Sequence, residues 1–178
     1  MSKLLRTVLL ASVVVAVTWN WQPAHSADSA VSYIGSPQDF MEISQLFSRY
    51  NYTIDNKDGE AWADNFAPNG VFQDPSWCAI GREKLIAVVG RKPNLGADEK
   101  HHHVHSLGPI NYIDRDNATV RSTVMVVGET GPGLTGGGIT ITGVYEDTLI
   151  RLGGRWLFAY RLVHRPSATP AVACPPRS

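Results

Sequence analysis

Tyr50 and Asp55 stand five residues apart, a phenol and a carboxylate that together could hold an organic molecule and take a proton from it. On an unbroken helix that spacing turns the two side chains about 140° away from each other. They can share a site only if the helix stops near Ile54 and the chain swings Asp55 back toward the side that Tyr50 faces. A carboxylate beneath apolar side chains is a stronger base than one in water, because desolvation raises its pKa toward the working pH. A neutral tyrosine beside it can donate a hydrogen bond to a developing oxyanion or a departing hydroxyl. The same two residues also fit a plainer reading, a core aromatic followed by a turn aspartate, and from the residues alone that reading is the stronger.

A second group is His101-His102-His103-Val104-His105. In a strand, alternation puts His101, His103 and His105 on one face and His102 and Val104 on the other, and only one set can point inward. His-x-His places two imidazoles within reach of one ion. No Glu or Cys at supporting spacing completes a metal set, so metal-free chemistry without a cofactor is expected. Arg161 and Arg165 near the end of the last strand could hold an acidic or phenolic group through a bidentate contact, although exposure at a strand end is the commoner fate of such arginines. Tyr145 and Asp147 share one face of the preceding strand, where they line a cavity or make a structural pair. Gly131 to Gly138 has no lysine and no GK[ST] ending, which argues against a phosphate cradle and for a flexible lip.

These residues need elements to position them. Phe40, Ile43, Leu46, Phe47, Tyr50 and Ile54 recur at three- and four-residue spacing, which predicts an amphipathic helix from about Pro37 to Ile54, with Ser36 as N-cap and Pro37 in the first turn. Asp58 can cap a short helix over Glu60 to Phe66, Pro68-Asn69-Gly70 turns into a strand at Val71-Phe72, and Gly81 to Val89 reads as a third helix. Strand-like runs follow at about His101–Ile113, Ala118–Glu129, Gly138–Leu152 and Arg155–Val163. Helices first and an antiparallel meander afterwards imply an α+β layout, with helices packed on one face of a curved sheet that wraps a cavity.

The chain as a whole bounds the possibilities. Lys3 and Arg6 precede a short apolar run, Val8 to Val17, and Ala24-His25-Ser26 offers a cleavage site, so residues 1–26 read as an export signal and the mature protein as periplasmic or secreted. The run is too short to span a bilayer. Residues 27–36 form a linker, 37–165 one domain, and 166–178 a Pro-rich tail. Removing Lys3 and Arg6 from the 16 basic residues leaves 14 against 16 acidic ones. No Lys/Arg stripe interleaved with aromatics is present, so nucleic acid is not an expected partner. Cys78 and Cys174 can pair in an oxidising compartment, and the sequence leaves open whether they do.

The run of Arg49-Tyr50 and Ile54-Asp55, then Trp62-Ala63-Asp64-Asn65-Phe66-Ala67-Pro68-Asn69-Gly70-Val71-Phe72, Gly81, the histidine cluster, Gly143-x-Tyr145-x-Asp147 and Arg155-Trp156-x-Phe158 resembles the SnoaL-like branch of the nuclear-transport-factor-2-like superfamily. The resemblance covers roughly residues 37 to 165 and is most specific from Tyr50 to Phe72. It implies a cone-shaped sheet with three N-terminal helices enclosing an apolar pocket, in a superfamily of ketosteroid isomerases, scytalone-type and bile-acid dehydratases, cyclases and plain binding domains. Under it, Tyr50 and Asp55 become catalytic candidates together with one histidine, His102 or His103, the chain separation from Asp55 leaning to His103. Arg161, Arg165, Tyr145, Phe72 and Trp77 become candidates for substrate binding. The function implied is a cofactor-independent lyase, either a dehydratase or a retro-aldol enzyme, with isomerisation second. The substrate would be a small apolar, hydroxylated aromatic or polycyclic compound, and a homo-oligomer is expected. The other reading is a non-catalytic exported binding domain.

Overall fold

The computed structural model describes residues 33–90, 100–130, 136–166 and 174. The expected signal peptide, most of the linker, residues 131–135 of the Gly-rich lip and most of the tail lie outside the described residues, and the last part of the expected lip, Gly136 to Gly138, already belongs to a strand. Among the described residues there are three helices, α1 (Pro37–Asp55), α2 (Gly59–Ala63) and α3 (Arg82–Gly90), and the expected order of helices first is corrected, because two strands separate α2 from α3. Six strands complete the fold: β1 (Phe66–Asp74), β2 (Trp77–Ile80), β3 (Lys100–Tyr112), β4 (Asn117–Thr130), β5 (Gly136–Leu152) and β6 (Arg155–His164). They form one curved, unclosed sheet in the order β2-β1-β6-β5-β4-β3, and the expected α+β architecture is present.

Ser36 Oγ accepts from the Asp39 N–H at 3.1 Å while Asp39 Oδ2 accepts from the Ser36 N–H at 2.8 Å, a reciprocal cap that starts α1. Asp39 is buried, and it also accepts from Tyr33 Oη at 2.7 Å and Trp156 Nε1 at 3.2 Å and pairs with Arg151. The helix start is thereby fastened to β5 and β6. Ile43, Leu46, Phe47 and Tyr50 form the buried stripe of α1, and Leu149, Trp156 and Phe158 meet it in the core.

Several boundaries differ from expectation. α1 runs on through Asp55, with Asn56 as C-cap. α2 ends at Ala63, and Phe66 already belongs to β1. β2 was not anticipated: four residues are too few to show a period, and the turn into β2 is set by Asp74 Oδ1, which accepts from the Ser76 N–H at 3.1 Å. The sheet is also not wholly antiparallel. β6, the fourth strand of the meander, returns beside β1 in the same direction, and the two pair in parallel. Both glycines of the β5–β6 turn have positive φ, Gly153 at 56° and Gly154 at 78°, as a tight two-residue hairpin needs. In β3 the bulge between Leu107 and Ile110 brings Gly108 so close to β4 that a Cβ there would collide with the Arg121 carbonyl.

Cys78 and Cys174, 96 positions apart in sequence, are joined in a disulfide with a Cα–Cα distance of 6.2 Å. It ties the tail to β2, an edge strand. A cross-link closing a loop of this length restricts the unfolded chain strongly, so Cys174→Ser is expected to lower unfolding free energy by about 2–4 kcal/mol. Urea denaturation of oxidised and reduced protein measures this, and reduction should destabilise the wild type but leave the variant unchanged.

Candidate functional site

α1 and β3 run in opposite directions, and their repeats nearly match. Five helical residues advance about 7.5 Å, and two strand residues about 6.6 Å. Asp55 on the last turn therefore meets His103, while Tyr50 and Phe47 meet His105. The ring centroids of His105 lie 5.7 Å from both Tyr50 and Phe47. The expected route to a shared site, a helix stopping at Ile54 with Asp55 swung inward, is corrected: Asp55 stays helical. It reaches the site because β3 crosses the end of the helix and brings His103 to it.

His103 Nδ1 lies 2.6 Å from Asp55 Oδ1, and the His103 backbone N–H donates to Asp55 Oδ2 at 3.0 Å. Two contacts from one residue fix both the carboxylate and the imidazole plane. With Nδ1 carrying the proton toward Asp55, Nε2 is left with its lone pair free to take a proton. Each of the two side chains is 15 % exposed, so this pair is the reachable edge of the site. Tyr50 stands behind it, fully buried, with its ring edge-on to His103 at 6.4 Å. Burial pushes the Tyr50 hydroxyl above its ordinary pKa, and Arg161 only partly offsets this, so Tyr50 is a neutral donor at physiological pH.

Behind Tyr50 the interior is filled by Arg161. Its guanidinium carbon lies 4.2 Å from the ring centre of Tyr50, 4.3 Å from Tyr145, 3.9 Å from Phe158 and 4.9 Å from Phe47. Asp147 holds it from the neighbouring strand with two charge-assisted bonds, Nε to Oδ1 at 2.7 Å and Nη2 to Oδ2 at 2.8 Å. Burial works against the charge on Arg161, and the Asp147 carboxylate outweighs it, so the guanidinium is held above its ordinary range. Burial also pushes the Tyr145 hydroxyl well up.

The structure settles where each sequence candidate lies. His103 faces inward with His101 and His105, whereas His102, the alternative to His103, is on the exposed outer face with Val104. His102 is thereby removed from the interior, because strand alternation cannot turn neighbouring residues to one side. Arg161 and Tyr145 are inside. Arg165 is not: it leaves β6 at its end and donates from Nη2 to Asp74 Oδ2 at 2.6 Å. Phe72 and Trp77 stack on each other at 5.4 Å, and Phe72 touches Trp62, which in turn touches Tyr50. They form a wall two rings removed from the centre. Alternation groups His105 with His101 and His103 without fixing which set faces inward, and no role is expected of it from the sequence. Among the described residues, no three His, Cys, Asp or Glu side chains are grouped so as to hold a metal ion. Two surface cavities of about 340 and 400 Å³ lie elsewhere, one beside Lys57 and Glu60, the other between Ile34 and Tyr112.

Comparison with known proteins bears on what this arrangement is. A model of the SnoaL-like domain family matches residues 38–162. Among solved structures, the chain is similar to a protein of unknown function from Mycobacterium tuberculosis, with 31 % identity, 76 % of this chain and 82 % of that one covered, and a TM-score of 0.64. It shares its fold with Aln2 from a Streptomyces species, at 19 % identity, coverage of 75 % and 94 %, and a TM-score of 0.67. A candidate scytalone dehydratase from Novosphingobium aromaticivorans has the same fold, at 22 % identity, coverage of 77 % and 90 %, and a TM-score of 0.59. Among curated proteins no match reaches significance. The family match spans the helix that carries Tyr50 and Asp55, the strand that carries His103 and the strand that carries Arg161, and on it the chain belongs to the SnoaL-like domain family.

Proposed function

We propose that the protein is a cofactor-independent lyase, with dehydration of a small apolar hydroxylated compound as its first reaction and retro-aldol cleavage or isomerisation as variants on the same site. One observation carries this reading: the Asp55–His103 pair, with its 2.6 Å contact, lies at the reachable edge of an aromatic interior, next to the buried hydroxyl of Tyr50. In this reading His103 Nε2 removes a proton from the carbon beside a carbonyl. The electron pair moves toward the carbonyl oxygen, and Tyr50 donates a hydrogen bond to that oxygen as its charge grows. The imidazolium, stabilised by Asp55, then returns the proton to the departing hydroxyl, and water leaves. Asp55, expected from the sequence as the base itself, is assigned the orienting role because both its oxygens accept from His103.

For a retro-aldol step the same imidazole takes the hydroxyl proton and the carbon–carbon bond breaks instead. For an isomerisation the proton returns to a different carbon. Export belongs to the same proposal, and the Cys78–Cys174 disulfide is in keeping with an oxidising compartment. Homo-oligomerisation is proposed on the family's habit of pairing.

The test is incubation of wild type and Asp55→Asn with a panel of hydroxylated aromatic and polycyclic ketones, followed by mass spectrometry for loss of water or formaldehyde. Turnover by the wild type with strong loss in Asp55→Asn is expected. Binding without turnover by either form would leave a ligand-binding domain, and equal turnover by both would remove Asp55 from the chemistry.

A further inference from the structure

We infer that His105 is a second substrate-contacting imidazole, which with Tyr50 Oη and Arg161 Nη1 binds an uncharged oxygen, a ketone carbonyl or phenolic hydroxyl, and selects such compounds over carboxylates. This deepens the reading above and rests on it for the location of the substrate.

Four polar atoms carry the inference. Both ring nitrogens of His105 are buried with no hydrogen-bond partner, and the Tyr50 hydroxyl and Arg161 Nη1 are buried without a well-formed bond, although the Tyr145 and Arg161 side chains lie close enough to lower the Tyr50 pKa. A histidine retained only for packing ordinarily bonds at least one ring nitrogen, because an unmet buried polar group is destabilising. Here the unmet groups converge on one place. The Tyr50 ring is the common neighbour, 5.7 Å from His105 and 4.2 Å from the Arg161 guanidinium carbon, and His105 lies 5.1 Å from Tyr145. A ligand oxygen reaching past the Asp55–His103 edge meets donors from three elements: α1, β3 and β6.

The charge balance sets the class of oxygen. The residues facing His105 are Phe47 and Tyr50 from α1, Tyr145 from β5, Arg161 from β6 and His103 on its own strand. Of these, Arg161 is cationic, and Asp147 already neutralises it through Nε and Nη2, leaving Nη1 as a donor without surplus charge. Burial first, then Arg161 and His103, push His105 down to about 2, so the ring stays neutral, with one donor and one acceptor. A carboxylate placed here would lose its water against no uncompensated cation. A ketone or phenol brings lone pairs and at most one proton, which is what these groups can satisfy.

Isothermal titration calorimetry with 2-naphthol and 2-naphthoate, an uncharged and an anionic probe on the same ring, tests the inference without requiring turnover. The wild type is expected to bind 2-naphthol at least about tenfold more tightly than 2-naphthoate, the scale of one or two well-made hydrogen bonds. His105→Phe, with circular dichroism unchanged, should weaken 2-naphthol about tenfold, and His105→Gln, which keeps a neutral donor and acceptor, should stay within about threefold of wild type. Equal or tighter binding of 2-naphthoate overturns the inference. So does unchanged binding by His105→Phe, or no saturable binding of either probe. A wild type that binds 2-naphthol as expected yet turns over nothing in the panel leaves His105 in place and sinks the lyase reading instead.

Discussion

Replacing His103 by Gln lowers turnover of an accepted substrate by about 10²–10⁴-fold, the contribution of a positioned proton-transfer group. The glutamine can still donate to Asp55, so the fold and much of the binding persist, but its amide cannot take up and return a proton. The loss therefore falls on kcat more than on KM. Asp55→Asn removes the charge that stabilises the imidazolium and frees the His103 ring to turn or to move its proton to Nε2, where it blocks the base. Because the two residues act as one unit, the double variant should be little worse than the more damaged single one. Losses that multiply would show that Asp55 and His103 act separately, and a full-rate His103→Gln would move the chemistry elsewhere. Steady-state kinetics on all four forms decides between these outcomes.

How much of this arrangement the sequence disclosed can be followed residue by residue. The stripe on α1 was legible because a helix that packs on a sheet must repeat its apolar residues at 3.6, and the ends of the four long strands fell within two residues of their observed limits. The facing of β3 was harder. Its only β-branched residue among the first six, Val104, is 47 % exposed, while the three alternate histidines point in. Apolar-inside patterning, applied to this strand, gives the wrong register. The inversion is itself informative, since local rules fail where a site is built. The Asp147–Arg161 pair was hidden for a different reason. Counting back from the Gly153-Gly154 turn sets Asp147 against Tyr160, but a bulge between Phe158 and Tyr160 shifts the register by one and puts Arg161 opposite Asp147. The same bulge reverses the alternation, so Phe158 and Arg161, three residues apart, share the inner face. No residue type in that stretch announces a bulge.

That pair leads to the second large effect. Asp147→Ala leaves a guanidinium with 0 % exposure facing four aromatic rings and no counter-charge. Breaking one side of a buried ion pair costs about 3–5 kcal/mol, and for a chain of this size each kcal/mol lowers Tm by about 2–4 °C, a fall of roughly 10 °C in all. Arg161→Met alone leaves Asp147 as the unpaired buried group and should cost a similar amount. Changing both together, Asp147→Leu with Arg161→Met, removes both desolvated charges and is expected to recover most of the loss, because an apolar pair fills the space without needing partners. With the Asp147→Leu single variant in place of Asp147→Ala, the two singles and the double, followed by thermal unfolding against wild type, form a double-mutant cycle with a large coupling term. If the double variant were as unstable as the sum of the singles, the pair would be contributing through shape alone. The stability-restored double variant should nevertheless turn over substrate poorly, because Tyr50 loses the cation that lies against its ring and lowers its pKa. Stability and activity would then part company at one pair of residues, and that separation is what a guanidinium kept inside for the chemistry, rather than for the fold, predicts.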